Sequence, residues 1–375
     1  MRRILILALG TAFCSFSLAW GGLVSAAPSP APAATKAPAG DPTIAPKGWV
    51  APRTAFGQPD ISGYWSNATM TPFTRNAKLT NKATLSLAEA RAAEKVWGDA
   101  LAAADAPTED KPTGPTAKEV ETREKLLALR PDFAAAGGDV GGYNTYWIDP
   151  GTHIMEVNGE FRSSILTTPN GLPPVRKAGA APPYGRYRDS YESYEVRGLG
   201  DRCIMGFGRN AGPPMLPNGY YNNDYYIIQT PDAVVIQVEM IHEARIVRLT
   251  GGHRPDDVRP WMGDSIGHWE GNTLVVETTN FAERDGFMGS WKHLKVTEHF
   301  TRVTPTRVNY QFTLEDPDTW DKPWGGEYNF APLHGIVYEY ACHEGNYALP
   351  AIRAGARRQE QEAAAAAAKA KPGGK

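Results

Sequence analysis

Residues 263–281 read GDSIGHWEGNTLVVETTNF, and residues 295–315 read KVTEHFTRVTPTRVNYQFTLE. In both stretches β-branched and aromatic residues recur at period two. Each is interrupted once by turn residues, Glu270-Gly271-Asn272 in the first and Thr304-Pro305-Thr306 in the second. That is the pattern of half-buried strands joined as hairpins. The pattern continues outward. YYIIQT and AVVIQVEM flank Pro231-Asp232, EARIVRL follows, and THIMEV and EFRSSILTT flank Asn158-Gly159, a strong hairpin signal. HGIVYEYAC closes the series. From Tyr143 onward no helical pattern separates these strands. Consecutive hairpins without intervening helices make an antiparallel meander, which buries one face by closing into a barrel or folding as a sandwich.

Helices are expected only ahead of the meander. Ser86 and Glu89 form an S-x-x-E capping box before ARAAEKVWGDALAAAD, which predicts a helix over about 86–104. TAKEVETREKLLALR predicts a second over about 116–129, ending before Pro131. The fold class is therefore mainly β: an antiparallel meander closed as a lipocalin-like barrel, with two helices inserted after the first strand.

The ends of the chain read differently. Arg2 and Arg3 precede an apolar run, Ile4–Val24, and small residues Ser25-Ala26-Ala27, the form of a secretory signal peptide over 1–27. The run is also long enough to serve as an uncleaved anchor. Residues 28–58 are Pro/Ala-rich and read as a disordered linker, and 357–375 as a low-complexity tail. A single barrel-like domain is expected over 59–356. Periplasmic or secreted localisation follows from the leader, with no membrane contact once it is cleaved.

Removing residues 1–27 takes away two arginines and no acid, leaving 37 basic against 41 acidic side chains. That balance argues against a nucleic-acid partner. With Cys14 in the leader, only Cys203 and Cys342 remain, and two cysteines in an exported chain read as one disulfide. Two buried free thiols are the alternative.

Gly63-Tyr64-Trp65 resembles the G-x-W opening of lipocalin-like (calycin) barrels. The resemblance implies a tryptophan that closes one end of the barrel, often beneath an arginine from a late strand. This chain is about twice as long as a simple lipocalin and carries helices between the first strand and the meander. The segments DISGYWSNATMTPFTR, GGYNTYWID, WMGDSIGHWEGNTLVVETTNF and YEYACHEGNY resemble a family of exported bacterial proteins common in proteobacteria and acidobacteria. That resemblance implies export and a single β-rich domain over most of 58–356, and it carries over no catalytic residues.

Four places hold residues suited to chemistry. In VEMIHEARIVRL, read as one strand, Glu239 and Arg245 share a parity and are positioned for an ion pair, and His242 is a candidate general base. In the opening stretch Asp264 can orient His268 as an Asp–His dyad, with Trp269 beside it; Ser265 lacks the strand–elbow–helix context of a nucleophile. A solvated hairpin face is the plainer reading of His268 and Glu270. His343 and Glu344 follow Cys342 and would be held beside the disulfide as substrate contacts. Tyr225, in GYYNNDYYI, can stack on a flat ligand.

No H-x-H, H-E-x-x-H, C-x-x-C or glycine-rich phosphate loop occurs, so neither metal nor other cofactor is expected. The expected function is an exported, cofactor-independent acid–base lyase, isomerase or cyclase acting on an apolar aromatic or terpenoid-like small molecule. His242, Asp264, His268 and Glu239 are its candidate catalytic groups, and Arg245, Tyr225, Trp269, His343 and Glu344 its candidate substrate contacts. The competing reading is a non-catalytic periplasmic binding or carrier protein for a hydrophobic ligand.

Overall fold

The computed structural model describes residues 44–79, 81–104, 149–181, 193–218, 221–342 and 348–370. The leader, the helix expected over 116–129, and His343 and Glu344 lie outside these residues.

Nine strands form a closed barrel. β1 (Gly63–Ser66) stands between the first and last strands of the later series. That series is β5 (Asp224–Gln229), β6 (Ala233–Val238), β7 (Ala244–Arg248), β8 (Asp264–Glu270), β9 (Thr273–Thr279), β10 (Lys295–Thr304), β11 (Arg307–Glu315) and β12 (Trp324–Pro332). β1 closes the circle, pairing Trp65 with Pro332 on one side and with Tyr225 on the other. The period-two pattern sets the register. Tyr225, Ile227, Val234, Ile236, Val238, Phe300, Tyr310, Tyr328 and Phe330 alternate inward and are fully buried. Each such side chain contributes roughly 1.5–3 kcal/mol by leaving water.

The hairpin around Asn158-Gly159 is present, but its strands, β3 (Glu156–Val157) and β4 (Glu160–Arg162), belong to a separate sheet with β2 (Thr84–Leu85). The chain then reaches the barrel at Leu166, which bridges to Gly326 of β12. The first helix, α1 (Leu87–Ala104), begins where the capping box places it. Ser86 N–H donates to Glu89 (2.9 Å), and Glu89 N–H donates back to the Ser86 hydroxyl (3.3 Å). Its buried face, Ala90, Trp97 and Leu101, packs with Met70 and Ile154, and the Trp97 indole donates to Gly151 O (2.9 Å). The tail carries α2 (Ala348–Ala370), mostly exposed as its alanine-rich sequence implies.

Three local expectations are corrected. HGIVYEYAC is not a strand; the last barrel strand is WGGEYNFAP, where Gly325 lets β12 approach β11 so closely that a Cβ would stand 1.8 Å from Phe312 O. VEMIHEARIVRL is two strands broken by a helical turn at Met240–His242, because Ile241 and His242 adopt left-handed φ values of 58° and 47°. Residues 51–58 are laid against the barrel: Arg53 donates to Asn272 Oδ1 (2.9 Å) and Gln58 to Pro231 O (3.0 Å).

The meander has one departure. β7 and β8 run parallel and share a single register pair, Arg248 with Ile266. Parallel neighbours cannot be joined by a tight turn, and residues 249–263 make the crossover.

At one end Trp65 donates its indole N–H to Ile61 O (3.0 Å), and Arg302 of β10 lies 5.5 Å above its ring. The barrel interior is filled from the other end. Met215 is fully buried, its N–H donating to the Tyr310 hydroxyl (2.8 Å) and its carbonyl accepting from Tyr328 (3.1 Å).

Candidate active site at the barrel rim

The sequence-derived candidates separate into three places. Arg245 lies inside the barrel and not beside Glu239. Its guanidinium forks onto Glu298 (2.6 and 3.1 Å), and Tyr310 donates to the same carboxylate (2.8 Å). Both ions are fully buried, so the bidentate geometry and the third donor offset a large desolvation cost. Tyr225 is also interior. Its hydroxyl donates to Asn210 O (3.0 Å) and accepts from Asn67 (2.9 Å), so it presents no face to a ligand from outside. Burial pushes its phenol up, out of the range of acid–base work.

Asp264 sits on the outer wall, and it does not meet His268. It accepts from Arg248 (2.9 and 3.0 Å), from the backbone N–H of Arg254 (3.0 Å), and lies 3.0 Å from His253 Nδ1. Burial opposes its ionisation, but the hydrogen bonds from Arg254 N–H and His253 and the charge of Arg248 outweigh it and hold the carboxyl below its ordinary range. His268 is exposed on the hairpin and pairs with Glu270 (2.9 Å), the plainer of its two readings. Ser265 is buried against the Thr278 hydroxyl (2.8 Å), and Trp269 is half-buried against the core.

Glu239 and His242 remain together, at the rim where β5 begins and β6 ends. Glu239 N–H donates to Asp224 O (3.0 Å), fixing the turn to the head of β5. The Glu239 carboxylate accepts from Asn222 Nδ2 (2.7 Å) and from Tyr338 N–H (3.2 Å). Its charge also acts on the neighbouring Asp224 carboxyl. Burial, then the charges of Asp149 and Glu239, push Asp224 up to about 8. Burial also raises Glu243 to about 7, against the donated N–H of Gly206 at 2.6 Å.

His242 is exposed, and its Nδ1 lies 3.3 Å from Tyr340 O. A carbonyl only accepts, so in the neutral ring Nδ1 carries the proton and Nε2 the lone pair.

The rim is strained as well as titratable. Asn222, Ile241, His242 and Cys203 all have left-handed φ between 47° and 58°. A β-branched residue there is uncommon, and each such residue costs on the order of 1–3 kcal/mol that the surroundings must supply. Part of the support is covalent. Cys203 and Cys342 form a disulfide, with Cα atoms 5.3 Å apart across 139 residues of sequence. It ties the strap 336–342 over the turn. Apolar surface flanks the acids: Tyr338 is 67% and Phe207 43% exposed.

Asp224, Asn222 and Glu243 were not singled out in the sequence. The signal available for them was weak, since Asn and Asp ahead of a strand are ordinary turn residues. Among the described residues no group of three His, Cys, Asp or Glu side chains is arranged to hold a metal ion. No family model and no curated protein matches the chain.

Proposed function

We propose that this is an exported enzyme that moves protons on a small, largely apolar molecule at the barrel rim, as a lyase, isomerase or cyclase. The observation that carries the reading is the raised Asp224 carboxyl, tied through its backbone carbonyl to Glu239 on a strained turn that also presents His242. Asp224, protonated at neutral pH, supplies the acid. His242 supplies the base: Nδ1–H is anchored on Tyr340 O, and Nε2 accepts a proton from the substrate. For a double-bond shift, Nε2 removes a proton from carbon and Asp224 returns one at the far end of the π system. Tyr338 and Phe207 provide flat apolar surface for an aromatic or terpenoid-like body.

Export is supported by the basic-then-apolar leader and by the disulfide. The reaction is tested by incubating the mature protein with aromatic and terpenoid-like compounds and following isomers or elimination products by mass and chromatography. Turnover should fall at least about 100-fold in His242→Gln and in Asp224→Asn, with ligand affinity kept. Binding without turnover by the unaltered protein would replace this reading with that of a carrier, which the exposed aromatic surface at the rim would equally serve.

A further inference from the structure

We infer that His253 is a protonation-dependent bolt holding the crossover 249–263 over the parallel seam between β7 and β8. The seam is the thinnest joint of the barrel wall, with one register pair where the other neighbours in the series from β5 to β12 have at least five. Across it lies a chain of charged groups on the outer face. His253 Nδ1 is 3.0 Å from Asp264 Oδ2, and Nε2 is 3.3 Å from Glu277 Oε1. The bolt thus ties the crossover to both β8 and β9.

A carboxylate only accepts, so both contacts are hydrogen bonds only when both ring nitrogens carry protons. A neutral imidazole keeps one. Asp264 also receives Arg248 and the Arg254 backbone N–H, and the Arg254 side chain stands 3.3 Å from it. That crowd of donors holds Asp264 in place, so the bond to Glu277 is the one lost. Glu277 has a second cation within reach, Lys295 at 3.8 Å, which is itself 2.9 Å from Glu315. Loss of one proton from His253 therefore turns a bare Nε2 lone pair on the Glu277 carboxylate, which swings towards Lys295 and releases the crossover from β9. The interior side chain at this joint is Val247, against which Gly267 packs so closely that a Cβ would lie 2.8 Å from it.

The experiment combines ring-nitrogen NMR of His253 with amide exchange of the full chain from pH 5 to 8, corrected for intrinsic rates. At pH 5 both ring nitrogens should be protonated. Protection of 249–263 should fall at least about fivefold as the ring deprotonates, while amides of β10 and β11 stay unchanged. His253→Gln, which has a donor at every pH, should remove the pH dependence of the crossover. A single neutral tautomer at pH 5 would overturn the proposal. So would protection of 249–263 that does not change with pH, or that changes equally in His253→Gln. A seam that opens together with β10 and β11 would also overturn it, as global unfolding.

Discussion

The backbone N–H of Glu239 donates to the carbonyl of Asp224 at the barrel rim (3.0 Å), and burial with the charges of Asp149 and Glu239 pushes the Asp224 carboxyl up to about 8. Its folded value is raised above the unfolded one. Its contribution to stability is therefore fully present below the unfolded value near 4 and is lost as pH rises through about 8. Glu243, raised to about 7, and Asp285, raised to about 6 chiefly by burial, act with the same sign. Asp264, held low, acts with the opposite sign and weakens the fold only as pH falls below the ordinary carboxylate range. The thermal midpoint should therefore be highest at mildly acid pH and decline towards pH 8. Asp224→Asn should flatten that decline, as followed by circular dichroism.

Inside the barrel, Glu298→Gln should cost about 3–5 kcal/mol in urea unfolding, because it leaves Arg245 charged and without a counter-ion in the core. Replacing both, as Arg245→Met with Glu298→Leu, should recover most of that loss.

Gly325→Ala should destabilise by at least about 3 kcal/mol, since the added carbon meets the backbone oxygen of Phe312 and no rotamer can relieve it. Gly98→Ala in α1 is the contrast. Nothing lies within 4 Å of its Cβ position, and it should stabilise by about 0.5–1 kcal/mol.

Removing the disulfide as Cys203→Ser with Cys342→Ser should cost up to about 5 kcal/mol, given the 139-residue separation. Under conditions where the barrel stays folded, it should also abolish rim turnover, because the strap carrying Tyr338 and Tyr340 loses its anchor.

The barrel was legible because alternation fixes which face each strand residue takes, and Glu270-Gly271-Asn272 and Pro231-Asp232 mark the turns. β12 was not, since Gly325-Gly326 and Pro332 read as turn residues; only the close approach to Phe312 explains the glycines. Glu239 and His242 were found by residue type, but the turn that joins them depends on left-handed φ at Ile241, a residue whose side chain disfavours it. Asp264 attracted attention for its acid beside a histidine. Its partner is His253, eleven residues upstream across the crossover, a contact set by the parallel seam rather than by any local spacing.

The most direct test is a carbon-13 NMR titration of the side-chain carboxyls between pH 3 and 9, assigned with Asp224→Asn. One carboxyl should show a midpoint near 8 that vanishes in Asp224→Asn and moves down in Glu239→Gln. An Asp224 carboxyl titrating near 4, as in an unfolded chain, would contradict it.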